Sequence, residues 1–286
     1  MSKLFHNMQD AARQSAERPA DSPALAELLE EVGADREVVS RATANALQGW
    51  RRLELLPLKR PFLLASDETP STHGAFEAYR ALRTKLIRFQ STEGVRSVVV
   101  TSAEAGEGKT VSVVNLALSL AQLPSQRVLL VDADLRTSGL SSATGAVEAP
   151  GLADVLAGEA AFETAPMSTS VPNLYILGAG EAKKPAGDLF AGPRFRDFLG
   201  WCNETFSMII VDCPPIIGLA DFDVVGAACD AVLVVVRARR TKREVLSLLA
   251  PHLQGKKLLG VLLNGQERHH RKTHYGYYYA KIGGKG

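Results

Sequence analysis

The chain has 286 residues, a length that accommodates one full domain and an appendage. Its hydrophobic and charged fractions, 46% and 22%, are close to those of globular proteins and exclude wholesale disorder. A net charge of +2 argues against a nucleic-acid binder, and we expect no nucleic-acid partner. The longest aliphatic run, Ala231–Val236, is too short for a transmembrane helix, and residues 1–30 lack the apolar core of a secretory signal, so we expect a cytoplasmic protein.

Residues 1–66 are predicted to form a helical N-terminal extension without a convincing strand. Ser22 and Pro23 are typical of a helix start, an apolar face recurs at helical spacing as far as Val32, and Gly33 is a stop signal. An amphipathic helix here could dock on a partner, touch a membrane surface or pack on its own domain. The sequence leaves these alternatives open.

The central region, residues 67–265, is predicted to be an α/β domain with a mostly parallel sheet flanked by helices. Short apolar runs rich in β-branched residues predict strands at Ser97–Thr101, Val128–Val131, Leu174–Leu177, Met208–Val211, Ala231–Val236 and Leu258–Leu263. Helical patterns lie between them, for example at Val111–Gln122, Phe195–Glu204 and Thr241–Leu253. This alternation indicates a sheet buried on both faces, in which ligands bind beyond the carboxyl ends of the strands.

A phosphate-binding loop follows the first of these strands. Residues 103–110 read A-E-A-G-E-G-K-T, which is G-x-x-x-x-G-K-[ST] with Ala103 in the first glycine position, and a helix comes next. Gly106 and Gly108 allow backbone N–H groups to turn toward phosphate oxygens, and the helix N-terminus favours negative charge. Lys109 is expected to reach the β- and γ-phosphates. The expected nucleotide-binding residues are Ala105, Gly106, Glu107, Gly108, Lys109, Thr110 and Val111.

Carboxylates follow two further strands. Asp132 and Asp134 come after the strand that ends at Val131, and Asp212 comes after the strand that ends at Val211. Buried carboxylates at one edge of a sheet are costly unless a cation offsets their charge. We therefore expect Thr110, Asp134 and Asp212 to hold Mg²⁺ beside the nucleotide.

These motifs together resemble the Walker A, A′ and B set of the bacterial tyrosine kinases. The A′ part is the D-x-D-x-R pattern of Asp132, Asp134 and Arg136, and the B part is the D-x-x-P pattern that begins at Asp212. The resemblance covers about residues 74–286. It implies a P-loop NTPase-type fold, ATP and Mg²⁺ as cofactors, and a protein-tyrosine autokinase that regulates exopolysaccharide or capsule polymerisation and export.

The resemblance also implies roles for single residues. Lys109, Asp132, Asp134 and Asp212 are the expected catalytic residues, and Asp132 is the candidate to orient or deprotonate the tyrosine hydroxyl, although the division of roles between Asp132 and Asp134 is open. Asn264, at the end of the last strand, matches the family position that contacts adenine. Asp221 corresponds loosely to a recurrent aspartate whose role is open.

Glu77, Arg80 and Arg83 fit the E-x-x-R-x-x-R motif that implies ring-like self-association in this family. At a spacing of three they share one helix face. An exposed, salt-bridged helix is the alternative interpretation.

Residues 266–286 are predicted to be a mobile tail that carries the phosphoacceptors. Four of the six tyrosines of the chain lie here: Tyr275, Tyr277, Tyr278 and Tyr279. A glycine-flanked, charged segment has no core in which a tyrosine could be buried. A substrate tail is favoured over an aromatic and basic nucleic-acid segment.

The resemblance implies partners as well. The family's membrane-spanning activator is absent from this chain, so a separate transmembrane chain-length-determinant protein is expected to recruit it to the inner face of the plasma membrane, and a cognate tyrosine phosphatase is a further expected partner. Two other functions stay open. One is a positioning or partitioning ATPase, whose relatives have a lysine where this chain has Glu104, and the other is a nucleotide-binding adaptor.

Overall fold

The computed structural model describes residues 51–53, 55, 62–63, 68–69, 72–147 and 150–265. The helix predicted between Ser22 and Gly33 and the four tail tyrosines lie outside the described residues. The predicted limits of the three regions therefore stay predictions.

Eight strands of the described residues form one sheet. They are β1 (Arg52–Leu53), β2 (Ser97–Ser102), β3 (Val128–Asp132), β4 (Met167–Thr169), β5 (Leu174–Leu177), β6 (Met208–Asp212), β7 (Ala231–Arg237) and β8 (Leu258–Asn264). Their spatial order is β1-β4-β5-β3-β6-β2-β7-β8. All neighbouring pairs are parallel except β4 and β5, which are antiparallel.

The six predicted strands are confirmed as β2, β3, β5, β6, β7 and β8. The prediction that no strand precedes residue 66 is wrong, because β1 pairs with β4. Both of these strands escape sequence reasoning because two or three residues are too few to show an apolar alternation.

Helices cover the sheet or follow its strands: α1 (His73–Glu93), α2 (Lys109–Ala121), α3 (Gly139–Thr144), α4 (Leu152–Ala157), α5 (Ala186–Ala191), α6 (Arg194–Thr205), α7 (Asp221–Ala228), α8 (Arg243–Ser247) and α9 (Ala250–Leu253). The single helix predicted over Thr241–Leu253 is wrong, since α8 and α9 are separate. Pro251, near the start of α9, has no N–H to donate to the preceding turn, so one helix cannot run through it. Among the described helices, none has the length and apolarity needed to cross a membrane.

Strand side chains alternate between two apolar layers. Val99 and Val131 lie in the layer that α4 to α7 cover, whereas Val98 and Val100 lie in the layer under α1 and α2. Because both faces of the central strands are covered, these strands consist of unbroken apolar runs.

The prediction that the sheet is buried on both faces is wrong for the edge strand β8. Leu258, Val261 and Leu263 are 46%, 59% and 51% exposed. The neighbouring helices α8 and α9 contain no buried residue, and Val245, Leu246 and Leu253 of these helices pack against the core while only partly buried.

We predict that Phe198→Ala lowers the free energy of unfolding by about 3–5 kcal/mol, because it opens a cavity in a packed aromatic cluster. Phe198 is fully buried, and its ring centroid lies 5.9 Å from that of Phe162 and 6.3 Å from that of Trp201. Leu248→Ala is the control: Leu248 is 58% exposed, so its loss should change the stability by less than about 0.5 kcal/mol. Urea unfolding measures both, and equal effects would contradict the packing described here.

Candidate active site

The loop between β2 and α2 has the backbone of a phosphate-binding loop. Gly106 and Gly108 have φ angles of +78° and +89°, values that a residue with a β-carbon rarely adopts. The loop ends where α2 begins at Lys109, so the N–H groups of the first helical turn are available to an anion. The local geometry thus matches what the sequence motif predicts.

Asn264 lies against this loop from the end of β8. Its side-chain Nδ2 donates a hydrogen bond to the carbonyl oxygen of Glu107 at 3.0 Å. A β-carbon placed on Gly108 would lie 1.9 Å from the same Nδ2 atom. The structure therefore brings Asn264 to the loop, and glycine at position 108 leaves the space that this contact needs.

Lys109 is a buried cation among carboxylates. Its Nζ atom lies 2.9 Å from Oδ1 of Asp212 and 3.7 Å from Oδ2 of Asp134. Burial lowers the pKa of Lys109, but the combined attraction of Asp212 and Asp134 outweighs it, and the net shift is upward. The lysine is therefore charged at neutral pH.

The oxygen atoms beside Lys109 fit a hard cation. The Thr110 hydroxyl donates to Oδ2 of Asp212 at 2.8 Å, so a hydroxyl and a carboxylate meet at the start of α2. Burial raises the pKa of Asp212 more than the Lys109 and Thr110 interactions lower it, and a bound cation would favour the ionised form. With Asp134 close by, this is a donor set of the kind that Mg²⁺ takes when it is also bound to phosphate.

Asp132 is enclosed rather than open to a substrate. Its Oδ2 atom accepts hydrogen bonds from the Ser141 N–H at 2.8 Å and the Ser141 hydroxyl at 2.6 Å, and its Oδ1 atom accepts one from the Asp134 N–H at 3.2 Å. Its exposed fraction is 0%, and burial raises its pKa to about 6. Both oxygens of Asp132 thus have partners inside the fold, and the expectation that Asp132 meets an incoming tyrosine hydroxyl stays a prediction.

Asp221, whose role the sequence leaves open, has a definite partner. Oδ2 of Asp221 accepts a hydrogen bond from Nε of Arg136 at 2.9 Å, and the Asp221 side chain is buried. This pair connects the segment after β3 to the start of α7. Asp221 thus fixes the arginine of the D-x-D-x-R pattern.

The three residues of the α1 motif have partners within the chain. Arg80 forms ion pairs with Glu77 at 2.7 Å and Glu68 at 2.6 Å. Arg83 donates to the carbonyl oxygen of Ser119 at 2.7 Å, near the end of α2. The prediction of a shared helix face is compatible with these contacts, and self-association stays a prediction.

The sequence analysis did not predict the contacts between the phosphate-binding loop and the segment that follows β7. Glu107 is 2% exposed; its carboxylate accepts hydrogen bonds from the Thr241 hydroxyl and, at 3.1 Å, from the Glu104 N–H. Arg237 and Arg240 come with this segment to the edge of the loop. The basic run of residues 237–243, directly after a predicted strand, is the sequence signal that could have indicated them.

Comparison with known sequences is consistent with this geometry. The family model described as AAA domain matches residues 95–257. The chain is 32% identical to tyrosine-protein kinase YwqD of Bacillus subtilis, over 72% of the chain and 86% of that protein. It is 30% identical to tyrosine-protein kinase wzc of Salmonella typhi over 82% of the chain, but spans 32% of the length of that relative.

Among solved structures, a tyrosine kinase domain is also similar to this chain. The kinase domain of Escherichia coli tyrosine kinase ETK superposes with a TM-score of 0.66 and 26% identity, covering 78% of this chain and 91% of that domain. The septum site-determining protein MinD of Pyrococcus horikoshii, complexed with Mg-ADP, superposes with a TM-score of 0.50 and 27% identity, covering 61% of this chain and 72% of that protein. The structural similarity, measured by TM-score and by the share of the chain covered, is therefore greater to the kinase domain than to the cell-division protein, whereas the sequence identities are nearly equal.

We predict that Gly108→Ala weakens nucleotide binding at least about tenfold and lowers the free energy of unfolding by about 1–3 kcal/mol, because the added carbon collides with Asn264 and the residue has a positive φ. Gly255→Ala is the matched control. Gly255 also has a positive φ, +74°, but a β-carbon there would have no atom within 4 Å. We therefore expect Gly255→Ala to lower the free energy of unfolding through backbone strain alone, without the collision that Gly108→Ala causes. Titration with a fluorescent ATP analogue measures binding, and unchanged affinity in Gly108→Ala would contradict the predicted role of the loop.

Proposed function

The chain belongs to the bacterial tyrosine kinase family, with an AAA domain over residues 95–257, and from this premise we propose that it phosphorylates the tyrosines of its own C-terminal segment. The enzyme is a protein-tyrosine kinase that takes the phosphoryl group from ATP. The observation that carries the proposal is the buried Lys109 at the start of α2, 2.9 Å from Asp212, next to a loop with two positive-φ glycines.

In this proposal the residues of the loop bind the triphosphate, and Lys109 stabilises negative charge as the phosphoryl group moves. Thr110, Asp134 and Asp212 are the residues that would hold Mg²⁺, which when bound supplies positive charge to the β- and γ-phosphate oxygens. Asn264 would contact the adenine from the end of β8. The chain contributes mainly positioning and charge, as phosphoryl transfer requires.

We assign the two A′ aspartates different roles from their contacts. Asp132 acts as a positioning residue, because its carboxylate holds the Asp134 N–H and Ser141. Asp134 accepts the Thr137 N–H at Oδ1 and has Oδ2 3.7 Å from Lys109, and this carboxylate beside the lysine is the one we assign to the metal ion or the tyrosine hydroxyl. A tyrosine pKa of about 10 means that such positioning is needed at neutral pH.

The proposed acceptors are Tyr275, Tyr277, Tyr278 and Tyr279, and the transfer takes place between neighbouring subunits. The face of α1 that carries Glu77, Arg80 and Arg83 is the proposed contact between copies. Each phosphate adds a charge of about −1.5 to −2, so several of them on one tail would weaken its attraction to a phosphate-filled neighbour and disperse the assembly.

The proposed setting is the inner face of the plasma membrane. A separate transmembrane chain-length-determinant protein would recruit and activate the kinase, and a tyrosine phosphatase would reverse the modification. In this way the phosphorylation state would regulate the polymerisation and export of capsule or exopolysaccharide.

We predict that Lys109→Ala slows tail phosphorylation by roughly 10²–10³, the cost of removing one charge-stabilising donor. Lys183→Ala is the control, since Lys183 is exposed and pairs with Glu159 at the surface. Phosphotyrosine is measured by mass spectrometry after incubation with Mg·ATP. Labelling of the Lys109→Ala protein at the wild-type rate would overturn the mechanism.

Mixing two variants tests transfer between subunits. The acceptor is Lys109→Ala with an intact tail, and the donor has Lys109 but carries phenylalanine at the four tail positions. We expect the donor to phosphorylate the acceptor tail. If only the wild-type chain labels itself and the mixture stays unlabelled, the transfer occurs within one subunit.

A positioning-type ATPase switch is the second candidate, favoured by the structural similarity to MinD. The same incubation separates the two functions. Release of inorganic phosphate with unmodified tyrosines would indicate the switch. A chain that binds ATP but neither hydrolyses it nor transfers phosphate would be an adaptor.

A further inference from the structure

The segment that follows β7 lies at the edge of the phosphate-binding loop. Strands β2 and β7 are parallel neighbours, so the loop after β2 and the turn after β7 lie at the same edge of the sheet. Residues 237–243, R-A-R-R-T-K-R, contain five cationic residues and no carboxylate. We refer to this segment as the basic turn.

The basic turn is fastened to the loop. The Thr241 hydroxyl donates to the carboxylate of Glu107 and accepts a hydrogen bond from the Arg237 N–H at 3.1 Å. Asn264 holds the carbonyl oxygen of Glu107 from the other strand. Because Glu107 is almost fully buried, the two segments form a fixed unit rather than two independent loops.

Within this unit the guanidinium of Arg240 lies on the loop. A β-carbon placed on Gly106 would lie 3.3 Å from Nη1, 3.5 Å from Nη2 and 3.7 Å from Cζ of Arg240. Both terminal nitrogens are nearer than Cζ, so the Nη end of the guanidinium faces the loop at Gly106. Gly106 is a residue whose positive φ turns the loop toward phosphate.

Arg240 differs from the other arginine near the site in its ion pairs. Among the ion pairs of the described residues none involves Arg240, and its side chain is exposed. The other arginine near the site, Arg136, is neutralised by Asp221.

The site contains more carboxylates than cations, so a further cation would favour the binding of an anion there. Lys109 faces two carboxylates, those of Asp212 at 2.9 Å and Asp134 at 3.7 Å. The loop itself adds two more, Glu104 and Glu107. A triphosphate is strongly anionic, and a guanidinium can bind phosphate oxygens with two parallel hydrogen bonds.

We propose that Arg240 is a second cationic ligand of the nucleotide polyphosphate, which it reaches from the Gly106 side of the loop. The proposal rests on the proposed function only in that the site binds ATP. It concerns binding, so it predicts a higher KM for ATP with kcat changed by no more than a few-fold.

The test is titration of the full-length chain with Mg·ATP and Mg·ADP by calorimetry. Arg240→Ala should bind both nucleotides about 10- to 100-fold more weakly, the range expected for a hydrogen bond to a charged group. Arg240→Lys should recover part of the loss, because it keeps the charge but not the paired hydrogen bonds. Arg243→Ala is the matched control, since it removes an equal charge from the basic turn at the start of α8.

Affinities of Arg240→Ala within about twofold of those of Arg243→Ala would overturn the proposal, because the cluster would then act only as a general positive field. Thermal unfolding of each variant without nucleotide checks that the fold is intact, and Arg240→Lys provides a second folded variant. Failure of the proposed function is distinguishable. A wild-type chain that binds ATP but leaves every tyrosine unmodified contradicts the kinase and leaves the binding result of Arg240 standing.

Discussion

The burial of Lys109 among carboxylates is the constraint on which the site depends. Its Nζ atom is held 2.9 Å from Asp212, at the end of the neighbouring strand β6, so the first residue of α2 is tied to the sheet. A lysine in this position without a carboxylate partner would be costly, and so would Asp212 without the lysine. The pair therefore keeps opposite charges in place beside the phosphate-binding loop.

Other contacts extend this constraint around the edge of the sheet. Ser141 holds Asp132 and also accepts a hydrogen bond from the Ala179 N–H at 2.9 Å, so the segments after β3 and β5 are connected beneath the site. Arg136 joins Asp221 on one side, and Glu107 joins Thr241 on the other. Each of these contacts connects segments that follow different strands, and the candidate catalytic side chains lie between those segments.

The distinction between a kinase and a switch ATPase lies outside the motifs that the two classes share. MinD of Pyrococcus horikoshii, solved with Mg-ADP, superposes on this chain with a TM-score of 0.50, so the fold alone does not separate the two classes. The features of this chain that bear on the distinction are Glu104 in the loop, the tyrosine cluster after β8, and the basic turn after β7. In our interpretation the last of these restores positive charge that the loop of this chain lacks.

The sequence by itself determined the strands, the phosphate loop and the acidic strand ends, because each depends on a local pattern: apolar runs, glycine spacing or a carboxylate directly after a strand. It predicted six strands with correct starting residues, but not β1 and β4, whose pairing is decided by distant residues. Only the tertiary structure decided that Asp132 is enclosed while Asp134 stays close to Lys109, since two aspartates separated by a single alanine are alike in sequence. The tertiary structure also decided the partner of Asp221 and the position of Arg240 beside Gly106. The Arg136–Asp221 contact joins residues 85 positions apart, and the Lys109–Asp212 contact joins residues 103 positions apart. Such contacts form only when strands that are distant in sequence become neighbours in a sheet.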